Sequence, residues 1–201
     1  MPCRNRTEEF NRFLNPPEAQ PIQAYCLLSN AENQVVGRVD FIEIPNEWLT
    51  KIDITVWNQC PGLHGIHVHE GHAIDNTSNN FCPGRKADQP KITKQDLFNQ
   101  CCKALGGHFN DDSQSVHGSP EDDYTRRHIG DLGNISVSRD GQGFKTLYDR
   151  LIMLRGRWNV INRSIVLHQN SDDLGRGQNS ESIKNGGSGD PVAFGLIQRI
   201  N

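Results

Sequence analysis

The chain has 201 residues, enough for one domain with a sizeable core. A formal net charge of −3, with no basic run and no aromatic-interleaved basic patch, excludes a dedicated nucleic-acid binder. An apolar fraction of 34% with 19 Gly and 10 Pro fits a loop-rich all-β protein rather than a helical bundle, and no stretch approaches membrane-spanning length. The first ten residues, M-P-C-R-N-R-T-E-E-F, are charged throughout and lack the apolar core of a secretory signal, so the expected address is cytoplasmic. A cellular and a virus-encoded copy, the latter in host cell or virion, would read alike. Six cysteines in a chain of this length do not make a disulfide framework, and reduced thiols are expected.

Residues 1–20 read as an N-terminal extension in which Pro16-Pro17 ends any turn over Glu8–Leu14, and the domain is expected over 21–201. Ile22–Leu28 and Val35–Glu43 alternate around a hairpin-like S-N-A-E-N-Q connection. In Leu49–Trp57, Ile52, Ile54 and Val56 share one strand face, with Asp53 and Thr55 on the other. His64–Glu70 is a fourth strand. The segment 71–130 is polar, long and without clear periodicity, which in a compact domain marks a loop that is functional or disordered. Leu132–Ser138, Phe144–Leu154 and Trp158–Gln169 read as strands, Gln169–Pro191 as a second long loop, and Val192–Ile197 as the last strand. Eight short strands with two long loops predict an all-β antiparallel barrel or sandwich.

The histidines carry the chemistry. His67 and His69 bracket Val68 on a strand, so both leave the same face and can place two ligands on one ion. His168 ends another strand at a loop boundary. His108, His117, His128 and Asp131 lie within one long loop and supply three nitrogens and one oxygen, a closed tetrahedral zinc set. Such a loop gains order from a metal clip. Neutral imidazole suits both copper and zinc. His64, in L-H-G-I-H-V-H, reads as structural. No G-x-S-x-G, P-loop or H-E-x-x-H is present.

The segments G-L-H-G-I-H-V-H-E, G-G-H-F-N, H-G-S-P, R-H-I-G-D-L-G-N, N-R-S-I-V-L-H and D-D-L-G-R-G resemble those of copper/zinc superoxide dismutase, from about Ala24 to Gly195. The resemblance implies an eight-stranded Greek-key barrel, usually a homodimer, acting on superoxide. It implies copper on His67, His69, His108 and His168, and zinc on His108, His117, His128 and Asp131. His108 would bridge both metals and relay a proton while copper cycles between Cu(II) and Cu(I). Asp172 matches the family carboxylate that hydrogen-bonds one ligand of each metal.

Three departures stand out. Pro191 occupies the position of the family's anion-guiding arginine, with Asp190 beside it, so capture of superoxide should slow. Lys184 and Arg176 in the same loop are candidates to steer in its place. Cys102 matches the family cysteine that ties the first loop to the barrel, but its partner position is Phe194, so that bond cannot form. Phe194 can recover part of the loss by burying aromatic area. Cys101 or Cys102 could pair with Cys82 instead, although reduced thiols are the leading expectation, and Cys26 reads as a core thiol. The segment 71–107 is an insertion that also holds His72; it reads as a surface elaboration near the dimer contact or the entrance. The leading expectation is a superoxide dismutase. The competing one is a catalytically impaired copper/zinc-binding homologue, acting as a metal buffer or as a decoy for a copper-delivery partner.

Overall fold

Alternating branched side chains give this chain a framework of antiparallel strands. The computed structural model describes residues 20–44, 47–71, 93–111 and 116–201. The expected extension over 1–20 lies outside the described residues except for its last position, and His72 and Cys82 lie outside them too. The strands are β1 (Ile22–Ser29), β2 (Val35–Ile44), β3 (Leu49–Val56), β4 (Gly62–His69), β5 (Asp131–Val137), β6 (Gly143–Asp149), β7 (Ser164–His168), β8 (Pro191–Leu196) and β9 (Gln198–Ile200). Their order is β2-β3-β6-β5-β4-β7-β8-β1, and β1 pairs with β2 to close the barrel. The short β9 continues β8 beyond Ile197 and pairs with β1 at Gln23–Tyr25.

The inward residues of alternate strands meet in one core. Ile52, Ile54 and Val56 are fully buried, as their spacing predicts, and join Leu28, Phe41, Ile66, Ile135 and Leu167. The barrel is held unevenly. β2 and β3 pair over eight positions, whereas β5 meets β6 only at Val137↔Gly143 and β1 meets β8 only at Ser29↔Phe194. Two four-stranded faces therefore enclose the core and diverge at two seams.

Two expected strands are shorter than the pattern suggested. β6 stops at Asp149 because its side-chain Oδ1 accepts from the backbone of Leu151 (2.6 Å) and Ile152 (3.0 Å), turning the chain out of the ladder. β7 begins only at Ser164, and 150–163 is a series of turns. Asp149 also pairs through Oδ2 with Arg127 at 2.6 Å, and both side chains are buried. Arg127 further donates to the carbonyls of Pro120, His128 and Ile129, so a buried guanidinium is well supplied with acceptors.

The long polar segment contains a helix that its periodicity did not reveal. α1 (Lys94–Ala104) starts at Thr93, whose side chain accepts from Asp96 N while Asp96 reaches back to Thr93 N. Its inner face, Phe98 and Cys101, joins Leu105, Val166 and Phe194 in a second cluster. A second short helix, α2 (Ser180–Asn185), is capped by Asn179 and ended by Gly186 in the left-handed conformation, φ 71°.

The helix also corrects the reading of the thiols. Cys101 is disulfide-bonded, to a partner outside the described residues, while Cys26, Cys60 and Cys102 are free. α1 turns Cys101 inward to 1% exposure, and Cys102 lies about 100° further round the helix. Cys26 is a core thiol as expected, its ionisation strongly opposed by burial.

Candidate metal centre

The barrel brings the sequence-distant histidines into one cluster. β4 supplies His67 and His69 two residues apart, and β7 ends in His168. The chain after α1 returns to β4 at an isolated His69↔His108 bridge. Asp131 opens β5 and pairs directly with His67 of β4. Gly130 makes this approach possible: a side chain there would run into the Val68 carbonyl.

Two groups of four result, each with its ligand atoms within 4.8 Å of one another. One is His67, His69, His108 and His168; the other is His108, His117, His128 and Asp131. His108 belongs to both, and its ring stacks on His67 at 3.9 Å between centroids. Asp131 Oδ1 lies 2.8 Å from His108 Nδ1 and 3.3 Å from His128 Nδ1. It also lies 3.0 Å from His117 Nδ1, but that contact lacks hydrogen-bond geometry. Asp131 Oδ2 accepts from Gly118 N (3.0 Å) and His128 N (2.8 Å).

The tautomers identify which atoms face inward. His69 Nδ1 donates to the Gly106 carbonyl at 3.0 Å and His168 Nδ1 to the Gly189 carbonyl at 2.9 Å. His67 Nε2 and His117 Nε2 donate to Asp172 at 2.9 and 2.7 Å. Each acceptor fixes the proton on one ring nitrogen and leaves the other with a lone pair. Those other atoms are His67 Nδ1, His69 Nε2, His168 Nε2 and His117 Nδ1. Together with His108 Nε2 they are buried without a hydrogen-bond partner. Five orphaned imidazole nitrogens would be costly in a merely structural cluster, and they are what metal coordination satisfies.

The electrostatics favour neutral imidazoles at His67, His69, His108 and His168. Burial, then neighbouring imidazoles, holds His67 and His69 well below their ordinary value. Burial also brings His168 down to about 4. His117 moves the other way: burial lowers it, but the carboxylates of Asp131 and Asp172 outweigh this and raise it to about 9. For Asp131 and Asp172, burial opposes ionisation and the surrounding histidines overcome it.

Asp172 thus touches one histidine of each group, as its sequence position suggested. Two features supporting it were not foreseen. Asn134 clamps its backbone, donating from Nδ2 to Asp172 O and accepting at Oδ1 from Asp172 N, both at 2.8 Å. Gly186 leaves it room, since a side chain there would collide with Asp172 Oδ1 and His117 Nε2. The signal for Gly186 was a glycine at a helix C-terminus, inside a segment read as loop. His64 stands outside both groups, tied by its ring nitrogens to the carbonyls of His168 (2.9 Å) and Cys60 (2.8 Å).

Pro191 opens β8 opposite His168, a first-strand position where the missing N–H is tolerated. Asp190 beside it is exposed. Lys184 occupies the last turn of α2, and both it and Arg176 are exposed.

The pattern of the copper/zinc superoxide dismutase family matches residues 35–197. The chain is 38% identical over 164 residues to an extracellular Cu-Zn superoxide dismutase of Haemonchus contortus, covering 82% of this chain and 74% of that one. It is 35% identical over 179 residues to the Cu-Zn superoxide dismutase of Paramecium bursaria Chlorella virus 1, covering 89% and 79%. It is also 34% identical to a copper chaperone for superoxide dismutase of Sus scrofa, covering 90% of this chain and 54% of that protein. A match of this extent, over a closed barrel whose buried nitrogens call for metal, establishes that the chain belongs to the copper/zinc superoxide dismutase family.

Proposed function

We propose that the chain is a working superoxide dismutase, converting two superoxide anions and two protons into dioxygen and hydrogen peroxide. The observation that carries this reading is the set of five orphaned, buried imidazole nitrogens shared between two four-residue groups. Copper and zinc are the family's metals, and the donor chemistry fits both. Copper is assigned to His67, His69, His108 and His168, and zinc to His108, His117, His128 and Asp131. When bound, copper supplies the one-electron chemistry and zinc a fixed positive charge.

The protein's residues do the rest. Asp172 keeps His67 and His117 in one tautomer and so orients both groups together. The Gly106 and Gly189 carbonyls do the same for His69 and His168. His108, whose Nδ1 lies beside Asp131 in the zinc group, is the residue that takes up and gives back a proton at Nε2, which peroxide formation requires. Superoxide is small and anionic, so exposed Lys184 and Arg176 are assigned to its approach in place of an arginine. A homodimer, a copper-delivering protein partner and a cytoplasmic address belong to the same proposal. Sedimentation of the loaded protein tests the first, copper transfer from a purified chaperone the second, and cell fractionation the third.

The impaired-homologue reading is not favoured, because the family match and the relatives named superoxide dismutase point to the enzyme. The deciding experiment measures superoxide dismutation by copper- and zinc-loaded protein, with metal content determined on the same sample. Turnover at about one copper and one zinc per chain supports the enzyme. Full loading without turnover would overturn it.

A further inference from the structure

A lysine sits in the seam between β5 and β6 and has no part in the chemistry described so far. Beyond Val137↔Gly143 the two strands diverge, so the β5 carbonyls facing β6 have no ladder partner there. Lys145 of β6 crosses the gap. Its Nζ donates to the Leu132 carbonyl at 2.7 Å and to the Asn134 carbonyl at 2.8 Å. A half-buried ammonium would ordinarily extend into water. Here it spends two of its three donors on the backbone of one strand.

The two carbonyls are placed where they bear on the metal centre. Leu132 directly follows Asp131, whose carboxylate lies among His108, His117 and His128. Asn134 is the residue that clamps Asp172 by two hydrogen bonds, and Asp172 holds His67 and His117. Between them lies Gly133 at φ 71°, a residue with no side chain to restrain the backbone. Lys145 therefore grips β5 on both sides of its left-handed glycine. Its charge also faces Asp172 and Glu121, which offset part of the burial that disfavours the ammonium.

We propose that Lys145 is a positioning residue of the metal centre. By holding the Leu132 and Asn134 carbonyls together, it fixes the distance between Asp131 and the Asn134–Asp172 clamp, and so the shape of the zinc group. The inference rests on the zinc assignment made above.

Lys145→Met keeps the aliphatic stem and removes the donors, while Lys145→Arg keeps donors at similar reach. Zinc affinity is measured by competition with a chromophoric chelator. The visible spectrum is recorded with Co(II) in the zinc group, and urea unfolding is followed on metal-free protein. Lys145→Met is expected to weaken zinc binding by about tenfold or more and to alter the cobalt bands, with Lys145→Arg restoring both. Unchanged zinc affinity and cobalt spectrum in Lys145→Met, with or without a loss in urea stability, would reduce Lys145 to a filler of the seam and overturn the proposal. Should Lys145→Met not fold, Lys145→Leu, which also lacks donors, carries the same comparison. Wild-type protein that takes up no zinc would instead sink the ligand assignment, and this inference with it.

Discussion

The ring of Phe98 on α1 lies 5.1 Å from the ring of Phe194 on β8, tilted by 41°. The pair joins the first loop to the barrel where the sequence resemblance leads one to expect a covalent bond. Packing has replaced a cross-link, so the tie depends on buried area. Phe194→Ala should destabilise the metal-free protein by about 3–5 kcal/mol, read from its denaturant midpoint. A loss under about 1 kcal/mol would mean that the Cys101 disulfide secures the loop without help from the aromatic pair.

Asp172 connects the two groups, and its removal should be felt by both. Asp172→Asn keeps the shape but cannot offer two carboxylate acceptors to His67 and His117. Zinc affinity should fall by about 10–100-fold, measured by chelator competition. Gly186→Ala should weaken zinc binding as well, because the new methyl group collides with both Asp172 Oδ1 and His117 Nε2 and must push them apart. Normal affinity in Gly186→Ala would show that Asp172 and His117 can move without loss.

The pH dependence of the metal-free protein follows from opposed shifts. His168 titrates at about 4 against an ordinary 6.5, and His67, His69 and His108 are lowered too, burial being the leading cause in each. Such groups bind fewer protons folded than unfolded, so their contribution is intact above about 6.5 and is lost as pH falls towards 4. His117, raised to about 9, contributes fully below 6.5 and loses its contribution as pH rises through 9. Urea midpoints should therefore drop steadily from pH 6.5 to 4. A flat profile over that range would contradict the placement of these imidazoles in the interior.

Steering by exposed cations is a matter of ionic strength. Lys184→Gln should lower kcat/KM in dilute buffer, and the deficit should vanish near 1 M salt, where charges are screened within about 3 Å. Pro191→Arg should raise kcat/KM and steepen its salt dependence. A Lys184→Gln enzyme indistinguishable from wild type at low salt would leave that lysine as a solubilising surface charge.

Strand positions and the shared face of His67 and His69 were legible because both rest on local spacing. Ile52, Ile54 and Val56 reveal a strand by period two, and His67 and His69 reveal a shared face by the same rule. α1 was harder. Phe98, Cys101 and Leu105 do follow helical spacing, and Thr93 with Asp96 marks its start, but four signals in a long polar segment do not stand out. The early end of β6 could not be read either, because a side-chain carboxylate of Asp149 stops it and not a Gly or Pro. Asn134, Gly186 and Lys145 escaped for another reason: their partners lie a strand or a loop away, and no local spacing announces the contact.

His67 and Asp131 are cross-strand partners, yet they belong to different ligand groups. One rung of the β4–β5 ladder is thus common to both. A slip of one residue between these strands would turn the side chains of β5 to the opposite face and take Asp131 away from His67. Correct pairing of β4 with β5 is thus a condition for His67 and Asp131 to stand side by side where the two groups meet.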